Sequence, residues 1–452
     1  MAFSPTDSKI YAPLFAEADV TTIFSDETFV QYLVEVEAAL AKVQGELAII
    51  PAEAASQILQ GAETIEIDFD QLQQGTEKAG LPIISLVNQL RQQVGGEAAS
   101  YVHWGATTQD IMDTALVLQI RAALTVIETT LLEVIRNLAT LATQHRNTLM
   151  AGRTHSQQAL PVPFGLKVAN WLAPLLRHRQ RLVEIKPRVL SVQFGGAAGT
   201  LASLGSTGDD VQQALAVELG LACPLTPWHT QRDTLAELAS WLSLVTGSLA
   251  KLGQDVILLA QTEVGEVRES ADLSRGGSST MPQKSNPIIS ELIIAAARTN
   301  ASLLSSMHQA LIQEHERATH SWQLEWLNFP QMFALTSAAL RKAEFLSENL
   351  VVNQEKMYDN VARSNGLMLA EAVSFALSEH MSRTDAKKMV TEAVHSVLKT
   401  NQHLVDVVQT KTNAPVEWDT LRDEAAYFGA SDIFISRVLA EVERISDEAN
   451  SK

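Results

Sequence analysis

The stretch VLQIRAALTVIETTLLEVIRNLATL, residues 117–141, decides the fold class of this chain. Its apolar residues recur at alternating steps of three and four, and no Gly or Pro occurs between Ala106 and Ala151. Residues 235–259 repeat the same spacing. Each pattern predicts one long helix. Because helices of this length need a packing partner along their whole length, and another subunit can supply it, we expect an oligomer built on helix packing.

Three further long helices are predicted, over 164–186, 288–316 and 331–350. The first should be kinked or broken near Pro174, because proline lacks the N–H that an α-helix uses. Alternating β-branched runs are few and short, and 63–68 is the best strand candidate. The sequence therefore predicts an all-α protein with a central bundle of long helices. An N-terminal helical domain, the central long-helix bundle domain and a C-terminal helical domain are expected over 1–110, 111–350 and 351–452.

The charge balance limits the classes of partner. Asp and Glu number 52 against 34 Lys and Arg, and the formal net charge of -18 repels polyphosphate backbones, so we expect no nucleic acid partner. A small anion can still bind where basic side chains and helix N-termini make a cleft locally positive. The single cysteine, Cys223, allows no intrachain disulfide and fits a reducing cytoplasm. No signal-peptide pattern and no continuously apolar segment of spanning length is found, so we expect neither export nor membrane insertion.

A first polar segment, His103-Trp104-Gly105-Ala106-Thr107-Thr108-Gln109-Asp110, precedes the first long helix. Thr107 and Asp110 have the spacing of a capping-box variant. A helix N-terminus with spare Thr hydroxyls is also an anion site, so a cap and a binding site are compatible interpretations. For His103, a structural role and a functional role remain equally open.

A second polar segment, Gly152-Arg153-Thr154-His155-Ser156-Gln157-Gln158-Ala159-Leu160-Pro161-Val162-Pro163, lies before the next helix. The Arg153 guanidinium can bind a carboxylate with both of its terminal nitrogens. Thr154, His155 and Gln157 can add hydrogen bonds to an anionic ligand. The alternative is a solvated connection, which seldom needs six consecutive polar side chains.

A third segment, Arg275-Gly276-Gly277-Ser278-Ser279-Thr280-Met281-Pro282-Gln283-Lys284-Ser285-Asn286-Pro287, begins with glycines and ends before a helix. Asn286 is the expected N-cap and Pro287 the first helical residue. A loop of this composition can close over a substrate and bring Ser278, Lys284 and Asn286 together with Glu291 one turn later. The embedded Met-Pro-Gln-Lys argues against a simple flexible linker.

Two stock motifs are absent. The loop Gly195-Gly196-Ala197-Ala198-Gly199-Thr200 lacks the lysine of a P-loop and does not fit a G-x-G-x-x-G fingerprint, so a nucleotide cofactor is not indicated. His315 and His320 are five residues apart, which on a helix separates them by about 140° and makes a zinc site improbable. We therefore expect neither a cofactor nor a metal.

The third segment resembles the signature of the fumarase/aspartase superfamily, G-S-S-x-M-P-x-K-x-N-P, at every fixed position from Gly277 to Pro287. The first segment resembles the H-x-G-x-T-[ST]-x-D motif of that superfamily, and the second resembles G-R-T-H-x-Q-x-x-x-P. The resemblance covers essentially the whole chain. It implies a homotetramer with a twenty-helix core, in which three different subunits contribute the three motifs to each active site. Isolated monomers should then be inactive.

The resemblance also implies roles for individual residues. Ser278 corresponds to the catalytic base on the mobile loop, and Lys284 and Asn286 to the groups that stabilise a carboxylate-linked carbanion. Glu291 would orient its partners, while His155 and His103 would be hydrogen-bonding or general-acid histidines. The remaining residues implied to bind substrate are Thr107, Thr108, Arg153, Thr154, Gln157, Ser279, Met281 and Arg317.

Two further stretches, Gln193–Ala202 and Trp322–Trp326, are most similar to a branch of this superfamily that closes a dienoic tricarboxylate to a lactone. The implied substrate is a small tricarboxylate, and the implied chemistry needs no cofactor. Fumarate-releasing lyases that act on adenylosuccinate or argininosuccinate are the alternative within the superfamily. A catalytically silent structural oligomer is the alternative outside enzymology, and the intact Ser278, Lys284, Asn286 and His155 argue against it.

Overall fold

The computed structural model describes residues 4–270, 272, 275–277, 280–281, 284–317 and 320–450. Helices dominate this part of the chain, so the all-α prediction is confirmed. The α-helices are α1 (Ala12–Phe15), α2 (Ala18–Ile23), α3 (Asp26–Glu46), α4 (Ala52–Thr64), α5 (Phe69–Ala79), α6 (Ile83–Val94), α7 (Thr108–Gln144), α8 (Phe164–Val189), α9 (Gly208–Leu219), α10 (Asp233–Leu259), α11 (Ile288–Gln309), α12 (Ser321–Asn349), α13 (Gln354–Ala362), α14 (Ala370–Ser378), α15 (Arg383–Thr400), α16 (Leu404–Gln409), α17 (Trp418–Arg422) and α18 (Ser431–Asn450).

Short 3-10 helices and two small antiparallel sheets complete the described structure. The 3-10 helices are Pro5–Asp7, Ala98–Tyr101, Ala202–Thr207, Leu367–Leu369 and Glu424–Tyr427. The strands are β1 (Leu149–Thr154), β2 (Gln157–Pro163), β3 (Val267–Arg268) and β4 (Val351–Val352). β1 pairs with β2, and β3 pairs with β4.

The five long helices α7, α8, α10, α11 and α12 correspond to the predicted ones, with corrections at their ends. α7 ends at Gln144 and not near Ala151, because the chain turns there into β1. Gly165 permits this turn, since a Cβ on it would lie 2.7 Å from the Ala142 carbonyl oxygen. α11 is shorter than predicted, and α12 begins ten residues before the predicted 331.

Two long helices run through an internal proline without a break. α8 runs through Pro174 without a break, which corrects the predicted interruption, and the buried Leu172 and Leu175 beside it hold the segment in place. α12 likewise contains Pro330, next to the buried Phe329. Burial of the flanking side chains outweighs the one hydrogen bond that each proline removes.

The strand prediction was wrong in position. Residues 65–68 form no strand and connect α4 to α5. The strands lie instead in the second polar segment, where His155 (φ 47°) and Ser156 (φ 62°) form the turn between β1 and β2. Two successive positive φ values are the mark of a type I′ hairpin turn, which usually carries Asn-Gly. Because a His-Ser pair occupies these two positions, the usual sequence signal of a hairpin turn is absent.

The chain divides into two compact units, each described by itself below. Unit 1 comprises Met1–Thr129, His178–Thr246 and Ala296–Ala339, and unit 2 comprises Thr130–Arg177, Gly247–Ala295 and Leu340–Lys452. The main core of unit 1 packs buried side chains of α3, α6, α7 and α9, such as Leu33, Leu90, Leu118 and Leu215. One core of unit 2 joins α14, α15 and α16 around Val373. The three consecutive domains remain a prediction.

Three long helices leave a large share of their residues unburied within the single chain. α7, α10 and α11 are long and apolar enough to cross a membrane by length and composition, which the sequence had not led us to expect. Only 56%, 50% and 33% of the residues in their most apolar windows are buried within the chain. Leu244 and Leu258 on α10 and Ile288 on α11 are exposed, so these two helices have apolar side chains available for a further packing partner.

Candidate active site

The first polar segment forms one half of a capping box at the start of α7. The Asp110 carboxylate accepts a hydrogen bond from the Thr107 backbone N–H at 3.0 Å. The Thr107 hydroxyl does not complete the box, because it accepts from Arg317 Nη1 at 2.7 Å. Thr108 is the first residue of the helix and is half-buried. The predicted cap is thus present, and Arg317 adds a cation beside it.

Asp110 is the centre of a buried hydrogen-bond network in unit 1. Its Oδ1 accepts from the Gly195 amide at 2.9 Å and from His229 Nε2 at 2.7 Å, and its Oδ2 accepts from the Gly196 amide at 2.9 Å. The side chain is fully buried. The glycine loop that lacked nucleotide-binding features is therefore fixed to the start of α7. Sequence reasoning missed His229, which no local motif marks.

Arg317 holds the other side of that glycine loop. Its Nη2 donates to the carbonyl oxygens of Gly196 at 3.2 Å and Ala197 at 3.0 Å. The guanidinium that we had assigned to substrate thus binds the protein's own backbone and the Thr107 hydroxyl. A direct contact between Arg317 and substrate remains a prediction.

His103 is paired with a carboxylate that sequence reasoning missed. Its Nδ1 lies 2.6 Å from Glu37 Oε1, and the Glu37 side chain is 1% exposed. Burial of the ring alone would lower the pKa of His103, but the charge and hydrogen bond of Glu37 outweigh burial and raise it. In the sequence, the signal that could have identified Glu37 is that it is a single acidic residue among the apolar residues that α3 buries, between Val36 and Leu40.

In unit 2, Arg153 binds an internal carboxylate with both terminal nitrogens. Nη1 donates to Glu266 Oε2 at 2.9 Å and Nη2 to Glu266 Oε1 at 2.6 Å. Asn360 Nδ2 donates to the same Oε1 at 2.8 Å, and Glu266 is fully buried. The fork expected to hold a substrate carboxylate is therefore occupied by Glu266, and Arg153 anchors the β1–β2 hairpin.

The end of that hairpin presents three of the predicted substrate-binding residues. Thr154, His155 and Gln157 are all exposed. Their side chains form no hydrogen bond with any residue that the structure describes, whereas Arg153 beside them is fully engaged. The hairpin thus holds their backbone in place and leaves three polar side chains available to a ligand.

The third segment is described in part, and Ser278 and Ser279 lie outside the described residues. Gly277 and Ser285 form an antiparallel bridge, and the Asn286 amide donates to the Gly276 carbonyl oxygen at 2.8 Å. Gly276 has φ 68°, and a Cβ on it would lie 2.2 Å from the Asn286 carbonyl oxygen. Glycine is therefore required to close the base of this loop.

The remaining described residues of the third segment are accessible. Lys284, Met281 and Glu291 are exposed, and Asn286 is half-buried. The Lys284 amide donates to the Met281 carbonyl oxygen at 3.0 Å, which closes a turn within the loop. The charged ends of Lys284 and Glu291 are thus available for ligands or for partner groups.

The start of α11 corrects the predicted cap. The helix begins at Ile288, and the carboxylate of Glu269 accepts from the amides of Ile289 at 3.1 Å and Ser290 at 2.7 Å. Glu269 is buried and lies 21 residues before Ser290. A remote carboxylate therefore caps this helix, and no Asn286 side-chain cap is seen among the described residues.

A buried ion cluster surrounds the stretch that suggested the lactone-forming branch. Arg232 donates to both Asp113 oxygens, at 2.7 and 2.9 Å, and its Nε donates to Glu325 Oε1 at 2.8 Å. Trp322 Nε1 donates to Asp113 at 3.1 Å. Burial raises the pKa of Glu325 although Arg232 opposes the shift. Glu325 and Trp322 thus help to form the interior of unit 1.

The predicted site residues fall into two groups. His103, Thr107, Thr108 and Arg317 belong to unit 1, where Thr107 and Arg317 are in direct contact. The other described ones belong to unit 2, where the hairpin and the third segment present them separately. The first group can bind an anion with a cation and hydroxyls, and the second offers an imidazole, an ammonium and amides.

Comparison with known proteins gives consistent results. A family model described as Lyase matches residues 15–301. The chain is 43% identical to 3-carboxy-cis,cis-muconate cycloisomerase of Pseudomonas aeruginosa, covering 96% of each chain. It is 42% identical to trans-aconitate decarboxylase 1 of Mycosarcoma maydis, covering 94% of this chain and 88% of that one. The solved 3-carboxy-cis,cis-muconate lactonizing enzyme of Pseudomonas putida superposes with a TM-score of 0.91 at 40% identity, over 97% of this chain and all of the other.

Proposed function

This chain belongs to the Lyase family, and we propose that it is a cycloisomerase that closes 3-carboxy-cis,cis-muconate to a carboxymuconolactone. The observation that carries the proposal is identity of about two residues in five with cycloisomerases of that name along nearly the whole chain. The resemblance to the fumarase/aspartase superfamily is confirmed in sequence and in fold. The protein is an enzyme with a small-molecule substrate.

The reaction adds one carboxylate of the substrate to a carbon–carbon double bond. A C–O bond forms, and the electron pair moves onto the carbon beside another carboxylate as an enediolate. That carbon then takes up a proton, so the product has the same mass as the substrate. Because a carbon acid next to an ionised carboxylate is very weak, stabilising the enediolate is the larger demand on the enzyme.

Lys284 and Asn286 are the residues proposed to stabilise the enediolate. The exposed Lys284 ammonium is available to a developing negative charge. The backbone of Asn286 is tied to Gly276, which fixes one end of the segment that carries both residues. Ser278 would deliver the proton. In the reverse direction Ser278 must act as an alkoxide, which requires nearby positive charge, and Lys284 can supply it.

His155 is proposed as a carboxylate binder and not as a proton donor. In the reverse reaction the leaving group is a carboxylate, which is stable as an anion and needs no general acid. The exposed position of His155 at the hairpin turn suits contact with a substrate carboxylate. We therefore expect His155→Asn to raise KM more than it lowers kcat, and a collapse of kcat at saturating substrate would contradict this role.

A soluble, cytoplasmic homotetramer with active sites shared among three subunits completes the proposal. Two observations support it. Leu244 and Leu258 of α10 and Ile288 of α11 remain exposed in one chain. The side chains of Thr154, His155 and Gln157 bind nothing within the described part of one chain. Light scattering during size-exclusion chromatography should give four times the chain mass of 49.2 kDa.

The assay that tests the function mixes purified protein with 3-carboxy-cis,cis-muconate, without added metal or nucleotide. Loss of diene absorbance with a lactone product of unchanged mass is the expected result. No reaction, followed by fumarate release from adenylosuccinate or argininosuccinate, would instead identify a lyase of the same superfamily.

The similarity to trans-aconitate decarboxylase favours one second candidate, which also forms a carbanion beside a carboxylate. Loss of carbon dioxide from trans-aconitate, at a rate that exceeds lactone formation, would identify the decarboxylase. The same preparation should be tested with both substrates at matched concentrations, so that inactive protein is not mistaken for specificity.

A further inference from the structure

His103 has a backbone conformation that histidine seldom adopts. Its φ is 65°, in the left-handed region that favours glycine. The preceding Val102 is buried, and its carbonyl oxygen accepts a hydrogen bond from Arg91 Nη2 at 3.1 Å. Strained backbone conformations that neighbouring residues hold in place cluster at functional sites. The contacts of the His103 side chain are therefore informative.

The side chain is directed by a single buried carboxylate. His103 Nδ1 lies 2.6 Å from Glu37 Oε1, where the histidine side chain is 17% exposed and the glutamate side chain 1% exposed. Glu37 Oε2 is buried and has no hydrogen-bond partner among the described residues. The hydrogen bond of Glu37 is therefore directed to one ring nitrogen, which orients the imidazole and leaves Nε2 for another partner.

We infer that Glu37 is a positioning residue that keeps the His103 ring protonated and directs its Nε2–H, as a cationic donor, to a carboxylate of the substrate. This inference rests on the proposed function, because it requires a polyanionic substrate. Thr107, Thr108 and Arg317 belong to the same unit, where Arg317 donates to the Thr107 hydroxyl and adds positive charge to this part of the chain. His103 is thus distinguished from His155, which has no such carboxylate partner among the described residues.

The charges around the ring support this assignment. Glu37 on α3 and Asp110 on α7 favour the imidazolium, and Arg91 on α6 opposes it. Asp110 is engaged by the glycine-loop amides and His229, so Glu37 is the direct partner. A histidine without a carboxylate neighbour would be largely neutral above about pH 7. The pair therefore extends carboxylate binding to higher pH.

The first test measures the ring itself and needs no turnover. Deuterium exchange at the imidazole C2 carbon, followed by peptide mass spectrometry across a pH series, gives the pKa of each histidine in the intact tetramer. Glu37→Gln keeps the size of the side chain and removes its charge, so the pKa of His103 should fall. An unchanged pKa of His103 would overturn the inference.

The second test separates positioning from general support of the fold. In Glu37→Gln, KM should rise about tenfold, with a smaller effect on kcat. When KM is measured across a pH series, its increase with pH should begin at a lower pH in the variant than in the wild type. Gln44→Met is the matched control, because Gln44 is buried one heptad further along α3 and, among the described residues, its side chain donates to the Trp104 carbonyl oxygen at 2.8 Å and not to His103. An equal KM shift in both variants would show a merely structural role.

A double-mutant cycle completes the test. If Glu37 acts through His103, Glu37→Gln should change KM little in a chain that already carries His103→Asn. Additive losses would overturn the inference. Failure of the proposed function is distinguishable, because a wild type that forms no lactone would leave the histidine pKa measurement interpretable. Glu37→Asp should restore part of the raised pKa of His103 if the charge is what matters.

Discussion

Two regions of the molecule differ in how many of their polar groups have hydrogen-bond partners within one chain. One is the first segment, at the start of α7, and the other is the β1–β2 hairpin together with the third segment. Around the first segment, Asp110 accepts from Thr107, from two loop amides and from His229, and Arg317 closes the other side. In the hairpin, Arg153 binds Glu266 and Gln158 donates to the Asn360 carbonyl oxygen, while Thr154 and His155 remain exposed. Lys284 in the third segment is exposed as well.

The residues around the first segment stabilise the fold. The exposed residues of the hairpin and the third segment are available to a ligand or a partner subunit. Substitutions in the network around Asp110 should lower the free energy of unfolding, because they leave buried polar groups without partners. Substitutions of the exposed hairpin and third-segment residues should lower activity and leave stability nearly unchanged. The following variants test this division, from the largest expected effect to the smallest.

Lys284→Met should have the largest effect. Removing the ammonium that we propose to stabilise the enediolate should lower kcat by about a thousandfold, in the range seen when one such electrostatic group is lost. The free energy of unfolding should stay within about 0.5 kcal/mol of wild type, because the side chain is exposed. Lys388→Met, at another exposed lysine, is the control and should be active. A stable Lys284→Met enzyme with normal kcat would refute the assigned role.

Asp110→Asn should mainly lower stability. The amide cannot accept hydrogen bonds from all the donors that the Asp110 carboxylate serves, so urea denaturation should show a loss of about 2 to 3 kcal/mol. Asp359→Asn, at an exposed position of α13, is the control. If both variants unfold at the same urea concentration as the wild type, the network around Asp110 is not the stabilising element that we describe.

The His103–Glu37 pair should make stability depend on pH. Because the pKa of His103 is raised in the folded protein, its contribution is fully present below the unfolded value of about 6.5 and is lost as the pH rises through the folded value. At fixed protein concentration, the unfolding free energy of wild type relative to His103→Asn should be largest near pH 5.5 and smaller near pH 9, roughly. A difference that grows with pH would contradict the assignment.

Ser156→Gly should have the smallest effect, with the opposite sign. Ser156 has φ 62°, and glycine adopts this left-handed conformation without strain, so stability should rise by about 0.5 kcal/mol. Ser206→Gly, in the 3-10 helix Ala202–Thr207, has no positive φ and should not gain stability. Destabilisation by Ser156→Gly would show that the hairpin turn is not of the type described.

Local periodicity was sufficient for the helices, since α7 and α10 lie where their apolar spacing predicted them. It could not reveal partners that are distant along the chain. Glu37 is 66 residues from His103, and Glu266 is 113 residues from Arg153. The motifs identified residues capable of binding anions, but only the fold shows that Arg153 and Arg317 are already bound by the protein itself.

Mixing two variants that are both impaired at low substrate concentration tests most directly whether several chains complete each lactone-forming site. Lys284→Met and His155→Asn subunits would be unfolded together, refolded, and assayed with 3-carboxy-cis,cis-muconate well below KM. If the hairpin and third segment of a site come from different subunits, about a quarter of the sites regain both wild-type residues by random assembly, and activity should rise to about that fraction. Activity that stays at the average of the two parent variants would contradict the account, because it would place both residues of each site in the same chain.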